Sequence, residues 1–250
     1  MLPTFIHIGA PKAASTWLLS AWREHPDVYA PPDLSNIDFF QSTYFKGLDW
    51  YEKTYFHTWS GERALGHKGN GYLYSELALE RIARDLPEVK LQVTLRDPIE
   101  RTFIQWAHEK QGNIFTPIEE SLSMSLMGTG TWMLFRMWIE TSLYAYHLKR
   151  VYRHFPQDRV RVMFYEDLIE DPIDFLKKQF EWLEVDPEFE SSTTHTLVGF
   201  PSPERPDTLA GDIQKGLPAE VRKKLIPAFE EDIDELQEMT GRDLSRWKQV

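Results

Sequence analysis

The sequence predicts an α/β fold, a three-layer domain whose central, mostly parallel sheet is flanked by helices on both faces. Two observations carry that reading. Short apolar runs at 5–8, 90–95 and 161–165 alternate with stretches of helical periodicity, the order that builds parallel sheets covered on both sides. The first two of these runs also stop at tight polar corners that carry a cation, GAPK at 9–12 and RDP at 96–98, and ligands of such sheets gather at the carboxyl ends of the strands. With no internal repeat, low-complexity run or linker, the 250 residues are expected to form one domain over 1–250, and a hydrophobic content of 42% suffices for its core.

In chain order, Phe5, Ile6 and Ile8 form a strand that ends at Gly9 and Pro11, and a helix runs from Ser15 to about Arg23, before HisProAsp at 25–27. Ala30 to Phe40, with its prolines, is a loop. The aromatics from Tyr44 to Trp59 fall partly at helical spacing and read as core rather than as a binding wall. Gly66, Gly69 and Gly71 around His67, Lys68 and Asn70 predict a turned or flexible loop, followed by a helix over about Ser75 to Leu86. Lys90 to Leu95 alternates as a strand, and Asp97 caps a helix that Pro98 begins. Residues 112–130 read as an irregular cover, 131–155 as one long helix and 161–165 as a strand. AspPro at 171–172 opens a helix to about Leu183, 188–211 is loop, and the last helix spans Pro218 to about Thr240.

Composition removes several classes of function. The absence of cysteine excludes disulfides, thiolate metal sites and Cys nucleophiles, and it fits a reducing compartment. No apolar run approaches the roughly 20 residues of a membrane span, and the start MLPTFIHIGA has no basic region before an apolar core, so a cytoplasmic protein without signal peptide or membrane anchor is expected. A formal net charge of −11 argues against general nucleic-acid binding. His147 and His154 lie too isolated from further ligands to predict a metal, and the acidic run at 230–235 reads as a solvated helix face.

The corner at 9–16 is where chemistry concentrates. The first turn of a helix exposes N–H groups without intrahelical partners, the helix dipole adds positive charge there, and Lys12 with the hydroxyls of Ser15 and Thr16 completes a setting for phosphate or sulfate. The Walker pattern of nucleotide triphosphatases places Gly-Lys directly before the Ser/Thr. Here Lys12 comes three residues before Ser15 in a shorter, P-loop-like corner, which weakens an ATPase, GTPase or kinase reading.

These segments resemble a known family. GAPKAASTWL (9–18) is similar to the 5′-phosphosulfate loop of sulfotransferases that use 3′-phosphoadenosine 5′-phosphosulfate (PAPS), and LRDPIERTFIQW (95–106) to their 3′-phosphate segment. GLDWYEKTYF (47–56), LPEVKLQVTLRDP (86–98), FYEDLIEDP (164–172) and GRDLSRW (241–247) resemble bacterial members similar to the heparan sulfate sulfotransferases. The resemblance implies a sulfuryl transfer from PAPS to a hydroxyl or amine, releasing adenosine 3′,5′-bisphosphate (PAP), without a metal. It implies Lys12 on the oxygen bridging phosphate and sulfate, Ser15, Thr16 and the backbone of Ala13 and Ala14 on the 5′-phosphate, with Trp17 closing that cofactor-binding run, and Arg96 on the 3′-phosphate. Lys68 matches a lysine that faces the sulfate or the acceptor.

Two departures from the family pattern stand out. Ile104 occupies the position of a 3′-phosphate Ser and cannot donate a hydrogen bond, with Arg205 in a late loop as the compensating candidate. Asn36 occupies the position of the usual catalytic Glu, which leaves His108, His67 and the flanking Asp33 or Asp38 as candidate bases, and Asn36, Asp38 and Lys68 as acceptor-binding candidates. An alternative consistent with both departures is a catalytically impaired relative that only binds nucleotide. Aromatic residues such as Trp50, Tyr51, Tyr55, Trp132, Phe135 and Trp138, together with the net acidity, point to a small-molecule acceptor rather than a polyanionic glycan.

Overall fold

A computed structural model of the chain describes residues 1–110, 118, 138–195 and 216–250. The described elements are the strands β1 (Phe5–Gly9), β2 (Val28–Tyr29), β3 (Ala64–Lys68), β4 (Lys90–Leu95) and β5 (Val160–Phe164), and the α-helices α1 (Ser15–Glu24), α2 (Leu48–Tyr55), α3 (Glu76–Asp85), α4 (Pro98–Lys110), α5 (Tyr144–His154), α6 (Tyr165–Glu170), α7 (Pro172–Leu183) and α8 (Ala219–Thr240). Residues divide between two compact units: 1–95 with 148–199, and 96–147 with 200–250.

The first unit holds the whole sheet, in the order β2-β3-β1-β4-β5, with every pairing parallel. Strand β1 lies in the middle and is buried along its full length, as a parallel strand covered on both faces must be. On one face α1 and α7 share a core in which Phe5 meets the Trp22 ring edge-on at 5.1 Å, and Leu18, Phe175, Phe180 and Leu183 fill the remaining space. Two helices of this unit have a clear local reason to start where they do. Asp171 accepts from the N–H groups of Ile173 and Asp174 beside Pro172, and Ser75 accepts from Ala78 at the start of α3.

Several sequence expectations are corrected here. Of the stretch around Gly66, Gly69 and Gly71 expected as a turned loop, 69–71 are a turn, but 64–68 are the strand β3, paired with β1 in the register Phe5↔Gly66 and His7↔Lys68. Its glycine makes room instead of a turn, since a Cβ on Gly66 would lie 2.3 Å from the Phe5 ring. The short strand β2 and the helix α6, which starts at Tyr165 where the strand was expected to finish, carried too few residues to show a period.

In the second unit the helix expected over 131–155 is interrupted, and of that span 131–137 fall outside the described residues. A turn at Thr141 and Ser142 separates helical residues 138–140 from α5. Arg101, almost fully buried, explains the break: its guanidinium donates to the Trp138 carbonyl (2.6 Å), Ser142 Oγ (2.6 Å) and Thr141 Oγ1 (2.9 Å). The Asp232 carboxylate of α8 then accepts from the N–H groups of Ala145 and Tyr146 and starts α5 afresh. Helix α8 itself buries Val221, Leu225, Phe229, Ile233 and Leu236 along one stripe. The irregular cover expected over 112–130 falls outside the described residues apart from Ile118, which is buried.

The Phe5–Gly66 contact is directly testable. Gly66→Ala should destabilise the protein by about 1–3 kcal/mol through overpacking against a ring that cannot retreat, read as a lower denaturant midpoint at unchanged slope.

Candidate active site at the first strand-to-helix corner

The chain leaves β1 at Gly9 and reaches α1 through a loop in which Lys12 (φ 67°) and Ala14 (φ 63°) both take the left-handed conformation. Non-glycine residues take that region rarely, and their use on either side of Ala13 curls the backbone into a concave turn of the kind that receives anions. Helix α1 begins without any side-chain cap, so the N–H groups of its first turn face the concavity with the positive end of the dipole.

Lys68, at the end of β3, closes the other side. Only 4% exposed, it donates from Nζ to Thr16 Oγ1 at 2.9 Å and Ser15 Oγ at 3.4 Å. Asn70 Nδ2 donates to the same Ser15 Oγ at 3.2 Å. A hydroxyl that already accepts from an ammonium and an amide has its own proton left to give, and Ser15 is thereby oriented as a donor. Burial, followed by repulsion from Arg23 and Lys12, pulls Lys68 down from its ordinary value to about 8. Positive charge concentrated to that degree in an apolar surrounding is stabilised by an anion.

The network extends to the loop at 31–38. Arg23 donates to the carbonyls of Pro31 and Leu34 and thereby fixes the segment leading to Asn36. Asn36 Oδ1 accepts from the Asn70 N–H at 2.9 Å, and its Nδ2 donates to Asp38 Oδ1 at 2.6 Å. Asp38 is exposed, and the Oδ1 atom of Asn70 is buried without a partner. Ser15, Thr16, Asn36, Asp38 and Lys68, all expected from the sequence, thus come together. Arg23 and Asn70 were missed; the signal for Asn70 was its position two residues beyond Lys68.

Other expected site residues are placed differently. His67 neighbours Lys68, yet alternation along β3 turns it to the opposite face, where it is buried among Phe56, Tyr72 and Tyr51 and its Nε2 lies 2.6 Å from the Tyr51 hydroxyl. Burial lowers it to about 4, and a base must reach the proton it removes, so the expectation of a catalytic His67 is corrected to a structural one. The Trp17 side chain is in the core, with Nε1 donating to the Thr193 carbonyl at 3.0 Å and the ring against Phe175; only its backbone N–H is available to a cofactor. Tyr51 and Trp138 are likewise core residues, Tyr51 stacked on Phe39 and Trp138 bonded to Glu109. Trp132, Phe135 and Arg205 fall outside the described residues.

In the second unit Arg96 follows the last residue of β4, and Asp97 caps α4 as expected, its Oδ1 accepting from Ile99 (2.9 Å) and Glu100 (3.2 Å). Ile104 is buried, and His108 is exposed on α4. His147 Nε2 lies 2.8 Å from the Glu140 carbonyl, across the break at 141–142; in the first unit His154 pairs with Glu76, which Arg150 also holds.

A parallel α/β sheet with an anion cradle between its central strand and first helix defines a P-loop-like class of fold. The sulfotransferase domain family matches residues 2–199, and the chain belongs to it. It is 32% identical over 184 residues to the mouse heparan sulfate glucosamine 3-O-sulfotransferase 3B1, covering 73% of this chain and 46% of that protein. The chain spans about half the length of the curated relatives it matches. Among solved structures, a sulfotransferase from Alicyclobacillus acidocaldarius superposes with a TM-score of 0.80 at 22% identity over 100% of both chains. The mouse sulfotransferase SULT7A1 complexed with PAP does so at 0.54 and 17% over 98% of this chain and 86% of that one. Both likenesses are of fold.

The cradle predicts a proton linkage. An anion favours the ammonium of Lys68, which in the free protein loses its proton near pH 8, so above that pH binding must take up a proton and affinity falls. Calorimetry with inorganic pyrophosphate in buffers of differing ionisation enthalpy should show proton uptake above pH 8, and Lys68→Met should abolish it.

Proposed function

We propose that this chain transfers a sulfuryl group from PAPS to a hydroxyl or amine of a small-molecule acceptor, by direct in-line displacement and within one sulfotransferase domain over residues 1–250. The observation that carries the reading is the buried Lys68 bonded to Ser15 and Thr16 beside Lys12 and an uncapped α1, a donor set that fits a phosphate joined to a sulfate. No metal is needed in that setting, because the charge of the transferred group is met by Lys12, Lys68 and first-turn N–H groups.

In the reaction the acceptor oxygen or nitrogen forms a bond to sulfur as the bond from sulfur to the bridging oxygen breaks. The electron pair leaves on the 5′-phosphate of PAP, where Lys12 offsets the growing charge. The N–H groups of the Ala13 to Trp17 turn and the Ser15 hydroxyl hold that phosphate, Thr16 supports it through Lys68, and Arg96 takes the 3′-phosphate, with Arg205 the compensating cation that the sequence offers for Ile104. The proton released by the acceptor goes to Asp38, whose carboxylate Asn36 orients within the network that reaches Ser15. His108 is the second base candidate. The acceptor is small rather than a polyanionic glycan, because a net charge of −11 repels a polyanion outside the local cradle. Nucleic acid is excluded as a partner on the same ground, and the reaction is cytoplasmic, in keeping with a chain free of cysteine and with the absence, among the described residues, of any helix long and apolar enough to cross a membrane.

A binding-only relative is the competing reading, favoured by Asn36, both of whose amide atoms are already hydrogen-bonded. Transfer of radiolabelled sulfate from PAPS to any host-extract component, read as an 80-dalton gain in acceptor mass (one SO₃), separates the two. A thermal shift with PAP but none with ATP and Mg²⁺ separates both from a kinase. Once an acceptor is in hand, Lys12→Ala should lower kcat by about 10²–10³-fold. Asp38→Asn should lower it by about 10²–10⁴-fold and flatten the acidic limb of the pH profile; if His108→Asn does so instead, the proton goes to His108.

A further inference from the structure

We propose that Arg222, on α8, is a positioning residue for the 3′-phosphate: it holds and offsets the Asp97 carboxylate, so that the corner bearing Arg96 is not left with net negative charge. The inference rests on the reading of Arg96 above and extends it to a residue near the other end of the chain.

The corner poses an electrostatic problem. Arg96 is followed at once by Asp97 and, one helical turn on, by Glu100. A carboxylate next to an anion-binding guanidinium competes for its donors and repels the phosphate. Asp97 cannot simply be dispensed with, because its Oδ1 caps α4 through Ile99 and Glu100. At 7% exposure, water does little to screen it.

Arg222 answers that problem. Its Nη2 lies 2.6 Å from Asp97 Oδ2, the oxygen turned away from the cap, and its Nη1 lies 3.5 Å from Glu100 Oε1. The rest of the guanidinium is fixed by carbonyls of the C-terminal segment: Nη2 donates to Trp247 at 3.0 Å and Nε to Gln249 at 2.5 Å. Trp247 is buried with its ring edge-on to Tyr144, so these carbonyls are held in place. A guanidinium whose Nε and Nη2 are bonded to a carboxylate and two carbonyls, and whose Nη1 faces a second carboxylate, is committed within the protein. It acts through Asp97, by cancelling a charge and locking the start of the helix that follows Arg96.

The test compares two nucleotides that differ only in the 3′-phosphate, PAP and adenosine 5′-monophosphate, by calorimetry on the full chain. Arg222→Gln should weaken PAP at least 10-fold and leave the monophosphate within twofold. Because Asn caps a helix as well as Asp does, the double variant Arg222→Gln with Asp97→Asn keeps the cap without the charge and should recover most of the PAP affinity. Asp97→Asn alone keeps Arg222 and should bind PAP as tightly as the parent or a few-fold tighter, which decides the matter even if Arg222→Gln fails to fold. An unchanged PAP-to-monophosphate ratio in Arg222→Gln, an equal loss for both nucleotides, or weaker PAP binding in Asp97→Asn would overturn the proposal. Arg96→Ala is the control for the underlying reading: an unchanged ratio there removes Arg96 from the 3′-phosphate, and the proposal with it.

Discussion

The ammonium of Lys68 is the constraint from which the first unit can be understood. A lysine 4% exposed, with no carboxylate among its hydrogen-bond partners in the described residues and repelled by Arg23 and Lys12, is expensive to bury. The surrounding structure is arranged to make that position available and to fix it. Parallel pairing of β3 with β1 in the register His7↔Lys68 brings the side chain beside the loop at the end of β1. His7, across the pair, is fully buried and held down to about 3 by burial and then by Lys68 itself, so it adds no further positive charge under the loop. The left-handed Lys12 and Ala14 turn the loop toward the same point. Strain, desolvation and like-charge repulsion concentrate at one place, as they do where a site is preorganised for a ligand of opposite sign.

The overall charge of the protein makes this concentration the more selective. With a net charge of −11 the long-range field repels anions, and only a ligand able to reach the cradle and use its directed donors gains from it. A nucleotide with phosphates at both ends has that form.

What the sequence made legible follows from how far apart the partners lie. The β1–α1 corner could be read almost to the residue, because its strand, loop, cation and hydroxyls are contiguous, and the cap of α4 by Asp97 is just as local. Strand β3 was hidden because glycine usually signals a turn; here it reports the Phe5 ring lying over Gly66, a contact between strands. The break at Thr141 and Ser142 depends on Arg101 from another helix, and the Arg222–Asp97 pair joins residues 125 positions apart. No periodicity encodes such pairings. The opposite fates of His67 and Lys68 were partly legible, since a strand alternates its faces, but only once the stretch is known to be a strand.

The amide at position 36 bears on whether the site can still turn over. In sulfuryl transfer through a loose transition state little proton transfer has to accompany sulfur–oxygen cleavage, so positioning and charge stabilisation carry most of the acceleration. An amide in place of a carboxylate removes a base but gains a bridge: Asn36 both accepts from the Asn70 backbone and donates to Asp38, which no ionised carboxylate could do. The negative charge is moved two residues along the chain, to an exposed position, while the connection to Ser15 through Asn70 persists. The arrangement spares the cradle a second ionised group against its cations, and it leaves Asn70 Oδ1 buried without a hydrogen-bond partner at the edge of the same network.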